Sequence, residues 1–354
     1  MEPFAWQPAA SPSEAASIAT HTTAEAMLTL TGRPDTQQAM LIKAGGVDLL
    51  DLMKEGLVNP GRLIDISRLP DLDGISGEPD GGVRIGALAT LARIAAHPAL
   101  QQSHAALSQA AALAASPQIR NRATLGGNLL QRPRCWYFRS AAHHCLRKGG
   151  AHCFAFPGDN RYHAVFANQG CAIVHASTPA TALAAYRAEV ELADSAGHRR
   201  RVPLADFFVL PQADMHRENT LARGELLTAV WLPPQKPDCR AQYLQIGERA
   251  AFDWPLAAVA AVLDMDGTGH CRQASIVLGA AAPVPWRARQ AEALLAGARI
   301  DSATAAAAGE AALAGATPLS QNAYKLPLLA ALVRRAVLSA AAIDTVLPAN
   351  PGAP

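Results

Sequence analysis

The chain predicts an α+β protein of two domains, and three observations carry that reading. Short apolar runs of strand character alternate with Ala- and Leu-rich runs of helical character along the whole sequence. The stretch Pro233–Asp238, with three prolines, interrupts that alternation and reads as a linker. The 354 residues, half of them hydrophobic, suffice for more than one buried core. The first domain is expected over 1–236, in two parts of about 1–66 and 67–236, and the second over 237–354.

Residues 11–32 form an Ala-rich, helix-compatible run, and Ser11 and Glu14 have capping-box spacing. Gln38–Ile42 reads as a strand. It enters a Gly-Gly turn and a helix over 43–54 whose Leu49, Leu50, Leu52 and Met53 face inward. Arg62–Ile66 is the next strand, which completes a β-α-β unit. Gly82–Leu88 alternates as a strand, and helices follow near 89–96 and 98–114. Cys171–Ser177 reads as a strand, Thr181–Tyr186 as a helix and Glu189–Ala193 as a strand ending in a turn at Ser195–Gly197. Val202–Phe208 opens a helical turn, and Leu226–Leu232 is a strand closed by Pro233 and Pro234. Beyond the linker come a strand (Gln242–Glu248), an apolar helix (Pro255–Leu263), a turn (Asp264–His270), a strand (Gln273–Gly279) and helices near 287–296, 302–313 and 321–343.

Charged residues make up 17% of the chain and the net charge is +2, so no nucleic-acid-binding character is expected. No apolar run has the roughly 18 residues of a membrane span, and the first residues lack the basic and apolar regions of a signal peptide. The chain is expected to be cytoplasmic, or periplasmic by export in the company of a partner that bears the signal. Six cysteines are too few for a disulfide framework. No catalytic triad, Walker loop or Gly-x-Gly-x-x-Gly helix start stands out.

Two Gly-Gly loops carry chemistry, Ala44-Gly45-Gly46-Val47-Asp48 and Leu125-Gly126-Gly127-Asn128. Glycine permits close backbone approach and positive φ. Consecutive N–H groups, aided at the first loop by a helix N-terminus, bind a pyrophosphate without a lysine. Read alone, each loop is more often a tight strand-to-helix turn than a phosphate cradle.

Their order with other blocks is more specific. The Ala-Gly-Gly-x-Asp-Leu-Leu helix start, the segment from Ile119 to Asn128, Val202–Phe208, Gly224–Thr228 and Val277–Ala280 with Pro283 and Pro285 follow one another along the chain. This order resembles the FAD-binding medium subunit of the xanthine dehydrogenase, aldehyde oxidoreductase and carbon monoxide dehydrogenase family. The resemblance covers nearly the whole chain. It implies an FAD domain of the para-cresol-methylhydroxylase/vanillyl-alcohol-oxidase type followed by an α+β C-terminal flavoprotein domain. It also implies two partner chains, a small subunit with two [2Fe-2S] clusters and a large subunit with the molybdenum cofactor. Carried over by position, Lys43, Ala44, Gly45, Gly46, Val47, Asp48 and Leu49 would line the FAD with Thr124, Gly127, Asn128 and Leu130. Ala115, Ile119 and Ala123 would pack near it, and Ser177, Leu226 and Leu227 would follow on later strands. The sequence departs from the family twice. Val47 stands where a threonine is usual, and Ser177-Thr178 stands where Ser-Asp is usual, which removes a carboxylate.

Directly after the second loop, Cys135, Cys145, Cys153 and Cys171 fall within one segment, 131–171. Four thiolates suit a [4Fe-4S] cluster or a structural zinc, and no Cys-x2-Cys pair marks a zinc ribbon. Arg132, Arg134, Arg139, Arg147, Lys148 and Arg161 outnumber Asp159 there, which would favour thiolates and an anionic cluster or offer an acidic partner a docking face. The segment resembles the insertion of the [4Fe-4S]-containing subset of the family, notably periplasmic bacterial aldehyde oxidoreductases. That resemblance implies Cys135, Cys145, Cys153 and Cys171 as ligands, with His143, His144 and His152 beside them and Trp136, Tyr137 and Phe138 as a shield. The expected function is electron transfer from an aldehyde-oxidising molybdenum subunit, through [2Fe-2S] clusters and FAD, to an external acceptor. A stand-alone flavin oxidoreductase and a zinc-stapled scaffold protein are the alternatives.

Overall fold

The structure, a computed structural model, describes residues 1–29, 38–249 and 251–342. Three sheets organise it. The first is parallel, with β1 (Ala5–Pro8), β2 (Met40–Lys43) and β3 (Arg62–Asp65) in the order β1-β3-β2. The helix Val47–Lys54 crosses from β2 toward β3 and buries Leu49, Leu52 and Met53. Strand β1, a largely exposed edge strand ending in proline, has no alternation by which the sequence announces it. The helical run expected from residue 11 forms two helices, Pro12–Ile18 and Thr23–Thr29. The first is capped by the Ser11 hydroxyl, which accepts from Glu14 N at 3.1 Å. The rest of that expected run, 30–32, lies outside the described residues.

The second sheet is antiparallel, with β4 (Ile75–Gly77), β5 (Val83–Gly86), β6 (Glu189–Asp194), β7 (Arg199–Pro203) and β8 (Glu225–Leu232) in the order β4-β5-β8-β6-β7. The expected helix 98–114 is two helices, Pro98–Ser103 and Ala105–Leu113, broken at His104 (φ −133°). That imidazole is buried, stands edge-on to Tyr186 and reaches the Pro233 carbonyl at 3.3 Å. Cys171–Ser177 is extended but joins no ladder, contrary to the expected strand. It bonds loops instead, its Ala172 carbonyl to Ala164 N and its His175 N to Ala282 O.

The third sheet, β9 (Cys239–Ile246), β10 (Ala257–Met265), β11 (Cys271–Gly279) and β12 (Trp286–Arg287), is antiparallel in the order β12-β11-β10-β9. The apolar helix expected over 255–263 is strand β10, every residue of which is buried. An all-apolar run has neither helical nor strand period when both its faces are covered. Helices Arg289–Leu295, Ser302–Ala311 and Lys325–Ala340 follow. The last residue of the expected helix 321–343 lies outside the described residues.

Segment 131–171 is irregular and is sewn down by buried side chains. Asn160 donates to Ala155 O at 3.1 Å and to Ser320 Oγ at 3.0 Å. Asn322 donates to the His163 and Ala164 carbonyls, and Lys325 Nζ to Ala280 O (2.5 Å) and His163 O (3.2 Å). Polar groups so paired can be buried without leaving the backbone unsatisfied. Among the described residues no helix is long and apolar enough to cross a membrane.

Candidate functional site

A cavity of about 500 Å³ opens where the two Gly-Gly loops meet. The first loop packs directly on the turn that leads into the second: a Cβ built on Gly45 would stand 2.0 Å from the Arg122 carbonyl oxygen, so only glycine fits there. Gly46 has φ +80° and begins the helix Val47–Lys54 with no side-chain cap. The first N–H groups of that helix are left for a ligand, and the helix dipole favours a negative one. The second Gly-Gly loop is itself a short helix, Leu125–Leu129, capped by Thr124 Oγ1, which accepts from Gly127 N at 3.2 Å. Gly126 sits against Ala87, whereas a Cβ on Gly127 would meet only the Thr124 hydroxyl.

Lys43, Ala44, Gly45, Gly46, Val47, Asp48, Leu49, Ala115, Ile119, Ala123, Thr124, Gly127, Asn128, Leu130, Leu226 and Leu227 all line this cavity. Ser177 does not. It stands behind Asn128, donating to its Oδ1 at 2.5 Å while accepting from Ala180 N, and so fixes the asparagine. Thr178, in place of the usual aspartate, lines the cavity, and its hydroxyl donates to Ala110 O. Ala115 has φ +45°, an αL conformation that costs alanine about 1 kcal/mol. The Arg120 guanidinium holds it there, donating to the Ala114 and Ala115 carbonyls at 2.9 Å each. Strain of this kind is concentrated at ligand clamps.

Two charged lining residues turn their charge elsewhere. The Lys43 ammonium pairs with Asp65 at 3.2 Å and lies over the Trp6 ring. Asp48 faces the insertion: Oδ1 meets Arg139 Nη2 (2.6 Å) and Arg134 Nη2 (2.7 Å), and Oδ2 accepts from Arg132 N (2.8 Å). The arginines expected to offer a docking face are therefore largely turned inward. Asp48→Ala leaves Arg134 and Arg139 with only the more exposed Asp51 carboxylate, at 3.1 and 3.3 Å, and a loss of about 2 kcal/mol is expected, below the 3–5 of a fully buried pair left without any partner. Denaturant midpoints of both forms check it.

The sequence did not single out Glu218, Asn219, Leu221 or Trp254, which also line the cavity. They lie on loops with no motif, brought in by folding over long sequence distances. A second cavity, about 280 Å³, shares Arg134, Thr178 and Trp254 with the first and has Cys135, Trp136 and His163 on its wall. The insertion and the larger cavity are thus neighbours.

All six cysteines are free thiols. Among the described residues no group of three or more His, Cys, Asp and Glu side chains is disposed to hold a metal ion as it stands. The four thiols of the insertion nevertheless interact pairwise. Cys135 lies within electrostatic reach of Cys171 and Cys145, and Cys153 hydrogen-bonds Cys171. Burial pushes the Cys135 thiol up to about 12, and the bond to Cys171 together with burial raises Cys153. The hydrogen bond with Cys153 and the Arg147 charge bring Cys171 down to about 6 against its burial. Backbone N–H groups of Tyr137 and Phe138 reach Cys135, and those of Ala155 and Ala172 reach Cys153. Nε and Nη2 of the buried Arg147 have no hydrogen-bond partner. Thiols lined with N–H donors beside an unsatisfied guanidinium form a donor set that fits an anionic thiolate cluster. His163 Nε2 lies 3.2 Å from Cys135 Sγ. His143 packs edge-on to Tyr137 and Phe154. Phe138 is buried, while Trp136 is partly exposed.

Comparison with known proteins places this geometry. Residues 6–235 match the family described as the FAD binding domain in molybdopterin dehydrogenase, and residues 242–340 match the CO dehydrogenase flavoprotein C-terminal domain. The chain is 39% identical over 300 residues to the aldehyde oxidoreductase FAD-binding subunit PaoB of Escherichia coli (strain K12), covering 84% of this chain and 90% of that one. It is 29% identical over 303 residues to the carbon monoxide dehydrogenase medium chain of Hydrogenophaga pseudoflava, covering 84% and 88%. Among solved structures it resembles quinoline 2-oxidoreductase from Pseudomonas putida 86, with TM-score 0.69, 28% identity and coverage of 97% of this chain and 99% of that one. Family, fold and cavity agree: the chain belongs to the FAD-binding subunits of the molybdopterin dehydrogenases and is an oxidoreductase subunit that binds FAD.

Proposed function

We propose that the chain is the FAD- and [4Fe-4S]-carrying electron-transfer subunit of a heterotrimeric molybdenum hydroxylase that oxidises aldehydes to carboxylic acids. The observation that carries this reading is the pairwise interaction of Cys135 with Cys145 and Cys171 and of Cys153 with Cys171, with Cys135 on the wall of the cavity next to the one proposed for the flavin. The likeness to an aldehyde oxidoreductase FAD-binding subunit supports the substrate class. In that assembly the chain would take electrons from a small [2Fe-2S] subunit fed by a large molybdenum subunit, and yield them to an external acceptor. The division of labour follows the domains proposed above, FAD held over 1–236 and the cavity closed by 237–354.

The residues have separate tasks. The uncapped N–H groups at Val47–Leu49 would take the pyrophosphate, with Thr124, Gly127 and Asn128 opposite. Ala115, Ile119, Ala123, Leu130, Leu226 and Leu227 would supply apolar wall and exclude water, and Ser177 would hold Asn128 in place. Cys135, Cys145, Cys153 and Cys171 would be the thiolate ligands, with Arg147 and Lys148 offsetting their charge. Bound FAD supplies reversible two-electron chemistry, and a cluster supplies one-electron transfer; this chain sets their distance, potential and access.

The test is an absorption spectrum of anaerobically purified protein with iron, zinc and FAD quantified. Flavin bands over a broad iron–sulfur shoulder, with about four irons per chain, are expected. Cys145→Ser should lose the iron and keep the FAD. Yellow protein without iron would remove the cluster from this reading. One zinc per chain in place of iron would replace it with a structural ion.

A further inference from the structure

A buried line of charge joins the cysteine insertion to the flavin cavity. Arg147 and Arg132, both from the insertion, are 1% and 3% exposed, and Glu218 between them is 8% exposed. Glu218 Oε1 lies 2.6 Å from Arg147 Nη1, and Oε2 lies 3.0 Å from Arg132 Nη1. The Arg217 carbonyl accepts from Arg147 at 3.2 Å and the His216 carbonyl from Arg132 at 3.1 Å. At one end the Arg147 charge acts on Cys171. At the other, Arg132 and Glu218 line the flavin cavity, and the Arg132 N–H bonds Asp48 at the head of the uncapped helix. Two cations and one anion leave a net positive charge where water does not screen it. Nε of Arg132, like Nε and Nη2 of Arg147, is buried without a partner.

We propose that Glu218 is a positioning residue that holds both guanidiniums and sets how strongly their charge acts on the two redox centres together. The cluster half of this proposal rests on the [4Fe-4S] reading above; the flavin half does not. A buried positive charge favours the reduced, more negative state of a nearby centre, and a carboxylate between two arginines offsets part of it. Neutralising Glu218 while keeping its shape exposes both centres to more positive charge, so both midpoint potentials should rise. A purely structural glutamate would change stability and leave the potentials alone.

The experiment is a redox titration of Glu218→Gln and Glu218→Asp beside the natural protein, each purified with its own cofactors and partner chains. Visible absorption reads the flavin and electron paramagnetic resonance reads the cluster. Glu218→Gln should raise the reduced-to-oxidised ratio of the cluster at fixed potential about tenfold, or 59 mV for a one-electron couple. The flavin should move the same way, and Glu218→Asp should restore the natural values. Unchanged midpoints in a cofactor-replete Glu218→Gln protein overturn the proposal. Where that variant does not fold, Arg147→Gln should lower the cluster midpoint, and no fall overturns it. If the natural protein holds no iron, the cluster reading fails separately, and the flavin shift alone decides the role of Glu218.

Discussion

Gly45→Ala is expected to lose FAD affinity by at least about a hundredfold while the protein stays folded. The added Cβ would stand 2.0 Å from the Arg122 carbonyl oxygen and 3.0 Å from its carbon. Both are backbone atoms held by Ile119, whose carbonyl accepts from Arg122 N and Ala123 N, so neither yields as a flexible side chain would. One loop must move away from the other. Overpacking of this kind costs about 1–3 kcal/mol. Here the displaced element is the cradle itself, so about 2.8 kcal/mol appears as two decades of binding. Titration of FAD onto stripped protein, followed by flavin fluorescence, measures it. Gly74→Ala is the control: a Cβ there meets nothing within 4 Å and the backbone φ is not positive, so affinity and stability should stay unchanged. Equal affinity in Gly45→Ala would mean that the loops part without disturbing the cradle.

Part of the cavity proposed for the flavin was legible because Lys43–Leu49 and Thr124–Leu130 sit in two short, punctuated motifs; Ala115, Ile119, Ala123, Leu226 and Leu227 came only from the family resemblance. Glycines forced by close approach leave a mark in the sequence, as at Gly45, and so do caps such as Ser11, Thr124 and Ser177. Positions fixed by tertiary context leave none. Strand β10 read as a helix because Ala257–Leu263 is apolar on every face, and the covering elements that decide the matter are distant in sequence. Glu218 gave no signal at all. Its partners Arg132 and Arg147 are more than seventy residues away, and a lone glutamate in a loop reads as solvated until the fold buries it. Of the two roles the basic insertion suggested, burial at Arg132 and Arg147 speaks against the docking face, a choice that charge counted along the sequence does not make. The cysteines lay between these cases. Their clustering was plain in sequence, but their pairwise interaction depends on a loop sewn to the C-terminal domain through Asn160, Asn322 and Lys325.

Lys325 should make stability rise between about pH 7 and pH 10. Its side chain is 1% exposed, and its ammonium donates to three backbone carbonyls, Ala280, His163 and Tyr162. Burial lowers its pKa from 10.5 to about 7. In the unfolded chain the lysine stays charged up to about pH 10.4, whereas the folded protein releases that proton near pH 7. Between these values the unfolded state binds more protons, so stability climbs with pH, by up to about 1.4 kcal/mol per unit. Below pH 7 both states are charged, and the cost of the buried ammonium is present in full. The rise totals on the order of 4 kcal/mol, since one pKa unit is worth 1.36 kcal/mol. Raised thiols such as Cys271 act oppositely, because a thiol kept protonated by burial costs stability above its unfolded pKa of about 8.5. The quantity to measure is therefore the difference between the natural protein and Lys325→Met, by denaturant unfolding at several pH values. That difference should grow steadily in favour of the natural protein from pH 7 to pH 10 and be flat below. Parallel curves throughout would mean that Lys325 titrates as it does in water, and that the three carbonyls hold a charge the interior does not penalise.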